Sequence, residues 1–386
     1  MATLKSYFTD FLAKIRLGSD QVTELKEAHK ELRERLEGYE PVSALLVSTF
    51  LQGSYKRSTM VRPAVDKKAD VDVIVVTNID RDAHTPEQAL RKFQGFLNAH
   101  YPGQWCFQGR SIGIELETVE LDVVITSAPS EIAQKALRLE SVRSSASLED
   151  LEDPRDLRFN EFWVAPERRG MIGSQSWMFK AASTPEWATE PLWIPDRDAK
   201  CWQQTHPLEQ IQSTRDKNAQ TEGYFINVVK ALKWWRRVHD PEAEQPKSYP
   251  LERIFWECCP DSIRSVAAGV VETLEQIVAR FPLEAATGKT PVLQDHGTGQ
   301  DVLKRISGEE FGRFYALAEK AAVIAREACD EEDNRKSARR WGDLFGEEFP
   351  APPEGNEDGS KGGSSSALGG YSEREGRTIP GTGRFA

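Results

Sequence analysis

Apolar residues recur every three or four positions in several parts of the chain, which is the period of an amphipathic helix. This pattern predicts N-terminal helices over 4–15 and 20–36, and further helices over 221–238, 263–280 and 309–329. Each of them has one apolar face and one polar face, so each is expected to pack against a neighbour. The second half of the chain is therefore predicted to be largely helical.

Short apolar runs rich in Val and Ile predict a sheet in the first half. They cover 45–51, 69–77 and 119–126, and a helix near 86–99 is expected between the last two. From 141 to 198 there is little periodicity, so loops and short elements crossing between domains are expected there. The sequence thus predicts a mixed strand and helix region followed by a helical one.

Two of the predicted strands carry acids: Asp70 and Asp72 lie in the second, and Asp122 lies in the third. Side chains alternate along a strand, so Asp70 and Asp72 face the same way. Like charges inside an apolar strand are costly unless a cation neutralises them, and Mg²⁺ is the natural candidate. Asp66 precedes the second strand in a charged turn and is expected to be solvated instead.

A polar segment beginning at Gly53-Ser54 follows the first predicted strand and is expected to start a helix. Such a junction presents backbone N–H groups and a hydroxyl to an anion, and Lys56 and Arg57 lie next to it. A Gly-Ser pair alone is usually an ordinary turn, and an Asp-x-Asp alone is usually a solvated strand face. Their order, with Asp122 as a third acid, favours a two-metal site for phosphoryl transfer.

The core motifs resemble those of the nucleotidyltransferases related to DNA polymerase beta, oligoadenylate synthetase and cyclic GMP-AMP synthase. They are Leu51-Gln52-Gly53-Ser54, Asp70-Val71-Asp72 and Leu121-Asp122. The whole chain resembles a bacterial cGAS/DncV-like nucleotidyltransferase of clade D, which synthesises cyclic oligonucleotide signals in anti-phage defence. The resemblance implies an α+β fold, with a polymerase-beta-like core built on a mixed β-sheet and a helical second lobe like that of oligoadenylate synthetase.

The resemblance also implies roles for individual residues. Asp70, Asp72 and Asp122 would hold two Mg²⁺ ions, or Mn²⁺, for attack of an acceptor 3′-hydroxyl on the donor α-phosphorus. Tyr249 would stack on a base, with ordinary packing of the ring as the alternative. The predicted nucleotide-binding residues are Gln52, Gly53, Ser54, Lys56, Arg57, Lys217, Lys230, Ser248 and Tyr249.

For clade D the resemblance implies ATP and GTP as substrates and a cyclic trinucleotide of two AMP and one GMP as product. It implies two protein partners, an effector activated by the cyclic nucleotide and a ubiquitin-transfer-like protein that conjugates the carboxylate of Ala386. Two alternatives stay open on the residues alone: a non-cyclising nucleotidyltransferase acting on RNA or a small molecule, and a catalytically silent nucleotide-binding module.

Composition narrows the class of protein. The 386 residues include 39% hydrophobic and 29% charged residues, which is typical of a soluble globular protein. No apolar run approaches the length of a membrane span and no signal peptide is recognised, so a cytoplasmic protein is expected. The net charge of −11 argues against a nucleic-acid activator, because duplex binding needs a basic surface. The five cysteines show no zinc or disulfide spacing and are expected to be buried thiols.

These patterns divide the chain into four predicted parts. Residues 1–38 would form N-terminal helices that pack on both lobes, and 39–200 would form the nucleotidyltransferase core. Residues 201–349 would form the helical lobe. The tail over 350–386 is rich in Pro, Gly and Ser and is expected to be disordered.

Overall fold

The computed structural model describes residues 4–64, 67–128 and 190–353. Its strands are β1 Leu46–Gln52, β2 Ala69–Thr77, β3 Trp105–Phe107, β4 Ile112–Glu115, β5 Val119–Ser127, β6 Leu192–Asp196 and β7 Cys201–Thr205. The helices of the first half are α1 Lys5–Lys14, α2 Ser19–Gly38, α3 Glu40–Ser43, α4 Gly53–Lys56, α5 Pro86–Arg91 and α6 Gln94–His100. Those of the second half are α7 Pro207–Gln220, α8 Phe225–His239, α9 Ser248–Cys258, α10 Val266–Arg280, α11 Pro282–Thr287, α12 Gly308–Asp330 and α13 Asn334–Phe345.

The described strands form one mixed sheet in the order β1-β2-β5-β4-β3, with β6 joined to the end of β5 and β7 paired with β6. Strands β2 and β5 are parallel, and the other pairs are antiparallel. The two acid-bearing strands are therefore neighbours at the centre of the sheet. The mixed sheet and the surrounding helices confirm the predicted fold class.

The two faces of the sheet bury different residues. Alternate side chains of β2 and β5, such as Val71 and Leu121, pack against α2, α5 and α6. The opposite face carries Ile74, Val76 and Val124 toward the carboxyl ends of these strands. Because side chains alternate, the acids at the amino ends lie on this second face, where no helix core covers them.

The helices of the second half share a separate apolar core. Trp235 of α8, Phe311 of α12 and Trp341 of α13 are among its fully buried side chains. Helix α1 contributes Phe11 to this core, whereas α2 contributes Leu32 to the core beneath the sheet. The two N-terminal helices thus pack on different parts of the protein. The boundaries at 38, 200 and 349 stay predictions, and the sheet continues past residue 200 through β7.

Three local expectations differ from the structure. The helix expected after the Gly-Ser turn is the single turn α4, and the helix expected over 86–99 is two short helices, α5 and α6. Cys106 and Cys201 are exposed, whereas Cys258, Cys259 and Cys329 are buried free thiols as expected. The exposed pair lies on β3 and β7, each of which pairs with a single strand in the described sheet, so one side of each is left open.

Some expectations fall on residues outside the described ranges. They include the solvated Asp66, most of 141–198, the disordered tail from 354 onward and the conjugation of Ala386, all of which stay predictions. Among the described helices, none combines the length and apolar composition that a membrane span requires.

Candidate active site in the cleft

The acids of β2 and β5 are brought side by side by the strand register. Asp72 is paired with Asp122, and Asp70 is paired with Glu120, in the parallel ladder between these strands. Partners in a parallel ladder project from the same face of the sheet, so four carboxylates share one surface. The sequence reasoning named three of them and missed Glu120, because only the register shows which residue stands beside Asp70.

The Gly-Ser turn lies directly against this carboxylate surface. Gly53 has a φ of +71°, and a Cβ built on it would lie 1.7 Å from Oδ2 of Asp72. Any other residue would meet both backbone strain and a collision with the carboxylate. Glycine is therefore required here, and its backbone and Ser54 form one side of the site. With α4 only one turn long, a helix dipole adds little to anion binding at this turn.

The crowded carboxylates hold their protons more tightly than isolated ones. Desolvation by the surrounding protein, followed by the charges of Asp72 and Asp122, raises the pKa of Asp70 to about 8. The side chain of Asp70 nevertheless remains accessible from the cleft. Burial and the charge of Asp72 raise the pKa of Asp122 to about 7. Burial also raises the pKa of Asp72, against the opposing charge of Arg57. The side chains of the protein do not by themselves neutralise the negative charge of this carboxylate surface.

The donor set fits a divalent cation. Oδ1 of Asp122 is buried and has no hydrogen-bond partner within the described ranges, so an acceptor oxygen is left for a ligand. In those same ranges, no three His, Cys, Asp or Glu side chains are grouped as a ready metal-binding set. A complete protein cage is not needed for Mg²⁺, which is usually held by one or two carboxylates together with substrate phosphates.

The carboxylate surface forms the floor of a cleft of about 1110 Å³. Six of the nine predicted nucleotide-binding residues line it: Gln52, Gly53, Ser54, Arg57, Ser248 and Tyr249. The walls also carry basic side chains that were not predicted, although the chain as a whole is acidic: Lys67, Lys68, Arg110, Lys233, Arg236, Arg237, Lys247, Lys304 and Arg305. Net charge was therefore a poor guide to the local charge of the site.

Three predicted residues lie outside the lining. Lys217 donates a hydrogen bond to Asp261 at 2.6 Å, and Lys56, the last residue of α4, is half-buried. Lys230 is only 4% exposed, and burial, followed by the charges of Arg16 and Lys233, lowers its pKa well below the usual range. Lys233, one helical turn later on α8, is the lysine that lines the cleft. We correct the assignment of the cleft lysine from Lys230 to Lys233.

Tyr249 is fixed at the cleft by contacts on two sides. Its hydroxyl donates a hydrogen bond to Oδ1 of Asp295, which also accepts a bond from Gln210 at 3.0 Å. The guanidinium carbon of Arg57 lies 5.0 Å from the centre of the tyrosine ring. The ring is held rigidly while it still lines the cleft, which suits stacking on a base.

Comparison with known proteins shows what the whole chain is similar to. Residues 1–127 match the family model described as a Second Messenger Oligonucleotide or Dinucleotide Synthetase domain. The chain is 42% identical to a probable cyclic AMP-AMP-GMP nucleotide synthase of Salmonella paratyphi B, and the match covers 92% of this chain and 94% of the relative. It is 41% identical to a cyclic AMP-AMP-GMP synthase of Enterobacter hormaechei, with the same coverage.

A more distant likeness concerns the fold alone. The Vibrio cholerae DncV cyclic AMP-GMP synthase, solved in complex with the linear intermediate pppA(3′,5′)pG, superimposes with a TM-score of 0.57 at 15% identity. The match covers 90% of this chain and 96% of that structure. The sheet and the helices thus follow an arrangement already known from that structure.

Proposed function

The chain belongs to the bacterial cGAS/DncV-like nucleotidyltransferases, and we propose that it condenses ATP and GTP into cyclic AMP-AMP-GMP with release of pyrophosphate. The relatives match over nearly their whole length, so nucleotidyltransferase activity that yields a cyclic oligonucleotide is the function of this protein. The identity of the three bases is the finer part of the proposal. It is supported by the names of the two relatives above 40% identity.

The observation that carries the proposal is the pairing of Asp72 with Asp122 on the floor of the cleft, beside the Gly53-Ser54 turn. Adjacent carboxylates next to a phosphate-binding turn are the arrangement that metal-assisted phosphoryl transfer requires. Single small-molecule sites usually enclose about 300–1,000 Å³. A cleft of about 1110 Å³ is large enough for a donor and an acceptor together, as cyclisation demands.

The donor phosphates would bind at the Gly53-Ser54 turn, next to the Arg57 and Lys233 cations. Asp70, Asp72 and Asp122 would hold the divalent ions, which when bound supply positive charge to the transferring phosphoryl group. The ring of Tyr249 would stack on a base and so orient the nucleotide. In this arrangement the protein binds and aligns the reactants, and the carboxylates keep their charge because cations offset it.

The order of the strands suggests where the acceptor enters. In-line transfer places the acceptor opposite the leaving pyrophosphate. The Gly-Ser turn follows β1 at one edge of the sheet, so the acceptor would approach from the side of β4 and β3. On that side Asp196 accepts bonds from Arg110 at 2.7 Å and Arg305 at 2.6 Å, and both arginines line the cleft. They would meet the phosphates of the acceptor nucleotide.

The proposal is tested by supplying the purified protein with Mg²⁺ and all four labelled nucleoside triphosphates. Products that resist phosphatase are then identified by mass spectrometry. We expect a cyclic trinucleotide that requires ATP and GTP, and we expect EDTA to stop its formation and Mn²⁺ to restore it. Linear products alone would contradict cyclisation. A cyclic product without guanylate would contradict the base composition.

An anti-phage role is a further part of the proposal. It predicts that bacteria carrying the protein together with its neighbouring genes resist phage, and that Asp72→Asn removes this resistance at equal protein levels. Resistance that survives the substitution would separate defence from nucleotide synthesis.

A further inference from the structure

Glu252, near the start of α9, is a buried carboxylate that joins the two sides of the cleft. Its Oε2 accepts hydrogen bonds from Nε of Arg57 at 3.0 Å and from Oγ1 of Thr59 at 2.9 Å, both just after α4. Its Oε1 accepts bonds from Nζ of Lys233 at 2.9 Å and from Oγ of Ser248 at 3.0 Å. Both oxygens are thus fully used, and the donors come from both halves of the protein.

Glu252 is paired with two positively charged side chains, one more than a simple ion pair contains. One carboxylate holds two cations, Arg57 and Lys233, and both cations line the cleft. Within the described ranges Glu252 is the only hydrogen-bond acceptor of the Arg57 side chain, through Nε, so the terminal nitrogens of the guanidinium are left for a ligand. The ring of Tyr249 lies against the same guanidinium, with its centre 5.0 Å from the guanidinium carbon. Glu252 offsets only one of the two positive charges, and the other faces the cleft beside Asp72.

Glu252 also keeps the lysine charged. Burial lowers the pKa of Lys233, and the charge of Glu252 is the largest influence that opposes the burial. The same two cations hold the pKa of Glu252 at about 2, against the effect of its own burial. Without this carboxylate, Arg57 and Lys233 would repel one another in a poorly solvated place, and the lysine would release its proton more readily.

We propose that Glu252 is a positioning residue that holds Arg57 and Lys233 together as a binding site for the β- and γ-phosphates of a nucleoside triphosphate. This inference rests on the proposed function, because it concerns the donor end of the same cleft. Each cation comes from a different side of the cleft, so polyphosphate binding depends on a carboxylate that does not itself touch phosphate. The sequence patterns alone assign Glu252 no role.

The test compares Glu252→Gln with Glu257→Gln. Glu257 lies on the same helix and accepts bonds from two arginines, Arg253 at 2.9 Å and Arg280 at 2.7 Å, but it does not line the cleft. Binding of a non-hydrolysable ATP analogue and of AMP is measured below the melting temperature of each variant. Glu252→Gln should weaken binding of the analogue by roughly tenfold, since charged hydrogen bonds are lost, and should leave AMP binding within about twofold. Glu257→Gln should change neither.

Two further measurements distinguish a positioning role of Glu252 from a general contribution to the stability of the fold. In an Arg57→Gln background, Glu252→Gln should cause little additional loss of analogue binding, because both act on the same contact. Equal weakening of the analogue and AMP, or wild-type binding in folded Glu252→Gln, would overturn the proposal. If Glu252→Gln does not fold, Glu252→Asp keeps the charge but is too short to reach all four donors, and the same selective loss is expected. Absence of any cyclic product from the wild type would contradict the proposed function and leave this binding difference intact.

Discussion

Two groups of carboxylates face the same cleft in opposite electrostatic states. On the floor, Asp70, Asp72 and Asp122 stand beside one another, and the pKa values of Asp70 and Asp122 rise to about 8 and about 7. On the wall, Glu252 is buried more completely than the floor acids, yet its pKa falls to about 2. The difference is that Glu252 has two cations within hydrogen-bond distance, whereas the charges nearest to Asp70 and Asp122 are mainly other carboxylates.

The contrast distinguishes Glu252, whose counter-charges are part of the folded protein, from the floor carboxylates, which need a ligand to offset their charge. A buried charge with its partners in place contributes to a fixed geometry, and removing it leaves other charges stranded. A buried charge without partners costs stability in the free protein and is retained where a ligand offsets it. Substitutions at the two places should therefore have opposite consequences for stability and different consequences for activity.

The largest effect is expected from Asp72→Asn or Asp122→Asn on the floor. Pyrophosphate release should fall at least about a hundredfold, since a charge that serves the transferring phosphoryl group is lost. The melting temperature should stay equal or rise, because repulsion between carboxylates is relieved. Asp82→Asn, an exposed acid beyond the same strand, is the matched control and should keep full activity. Near-normal turnover by a folded floor variant would show that these acids are not catalytic.

The next largest effect is a loss of stability from Glu252→Gln. This change leaves Arg57 and Lys233 buried without a counter-charge, and we expect the free energy of unfolding to fall by about 3 kcal/mol. Urea unfolding with and without the substitution measures this value. An unchanged free energy of unfolding would mean that the wall carboxylate is no better compensated than the floor acids.

The stability that Glu252 contributes should depend on pH in a defined way. The charges near Glu252 are the cations Arg57 and Lys233 and the carboxylate of Asp72, and the two cations depress its pKa in the folded state below the unfolded value of 4.5. A depressed pKa gives stability that is present above about 4.5 and is lost as pH falls toward about 2. The difference in unfolding free energy between wild type and Glu252→Gln should therefore shrink over this interval. A difference that stays constant from pH 7 to pH 3 would contradict the ion-pair explanation.

A smaller effect is expected at Tyr249, which touches the cation pair through Arg57. Tyr249→Ala should weaken nucleotide binding by on the order of 1–3 kcal/mol if a base stacks on the ring. Tyr249→Phe keeps the ring and loses only the bond to Asp295, so it should bind nearly as well as wild type. Equal KM values for ATP and GTP in Tyr249→Ala and in wild type would assign the ring to packing.

The smallest effect is expected at Lys230, one turn before Lys233 on α8. Lys230→Met removes a buried amine that does not line the cleft, so KM should stay within about twofold and stability should hold or rise. Lys233→Met should raise KM clearly. If Lys230→Met raised KM as much as Lys233→Met, the correction of the cleft lysine would be wrong.

Much of this site could be predicted from local patterns. The spacing of Asp70 and Asp72 fixes their common face, because side chains on a strand alternate whatever the surroundings. The apolar runs marked β2 and β5 with nearly correct bounds, and Gly53-Ser54 was recognised as a turn next to the acids. These features depend on residues a few positions apart, so short-range geometry is sufficient to define them.

The tertiary structure decided what depends on distant residues. Only the pairing of β2 with β5 sets Asp72 beside Asp122 and brings in Glu120. Lys230 and Lys233 are three residues apart on one helix, and the packing of α8 alone determines which of them meets the cleft. Glu252 lies 195 positions from Arg57, so no local pattern could have linked them. The sequence by itself determined on which helix or strand each charged residue lies. The fold decided which of these charges meet, and therefore the pKa of each carboxylate, because a pKa depends on the neighbours in space.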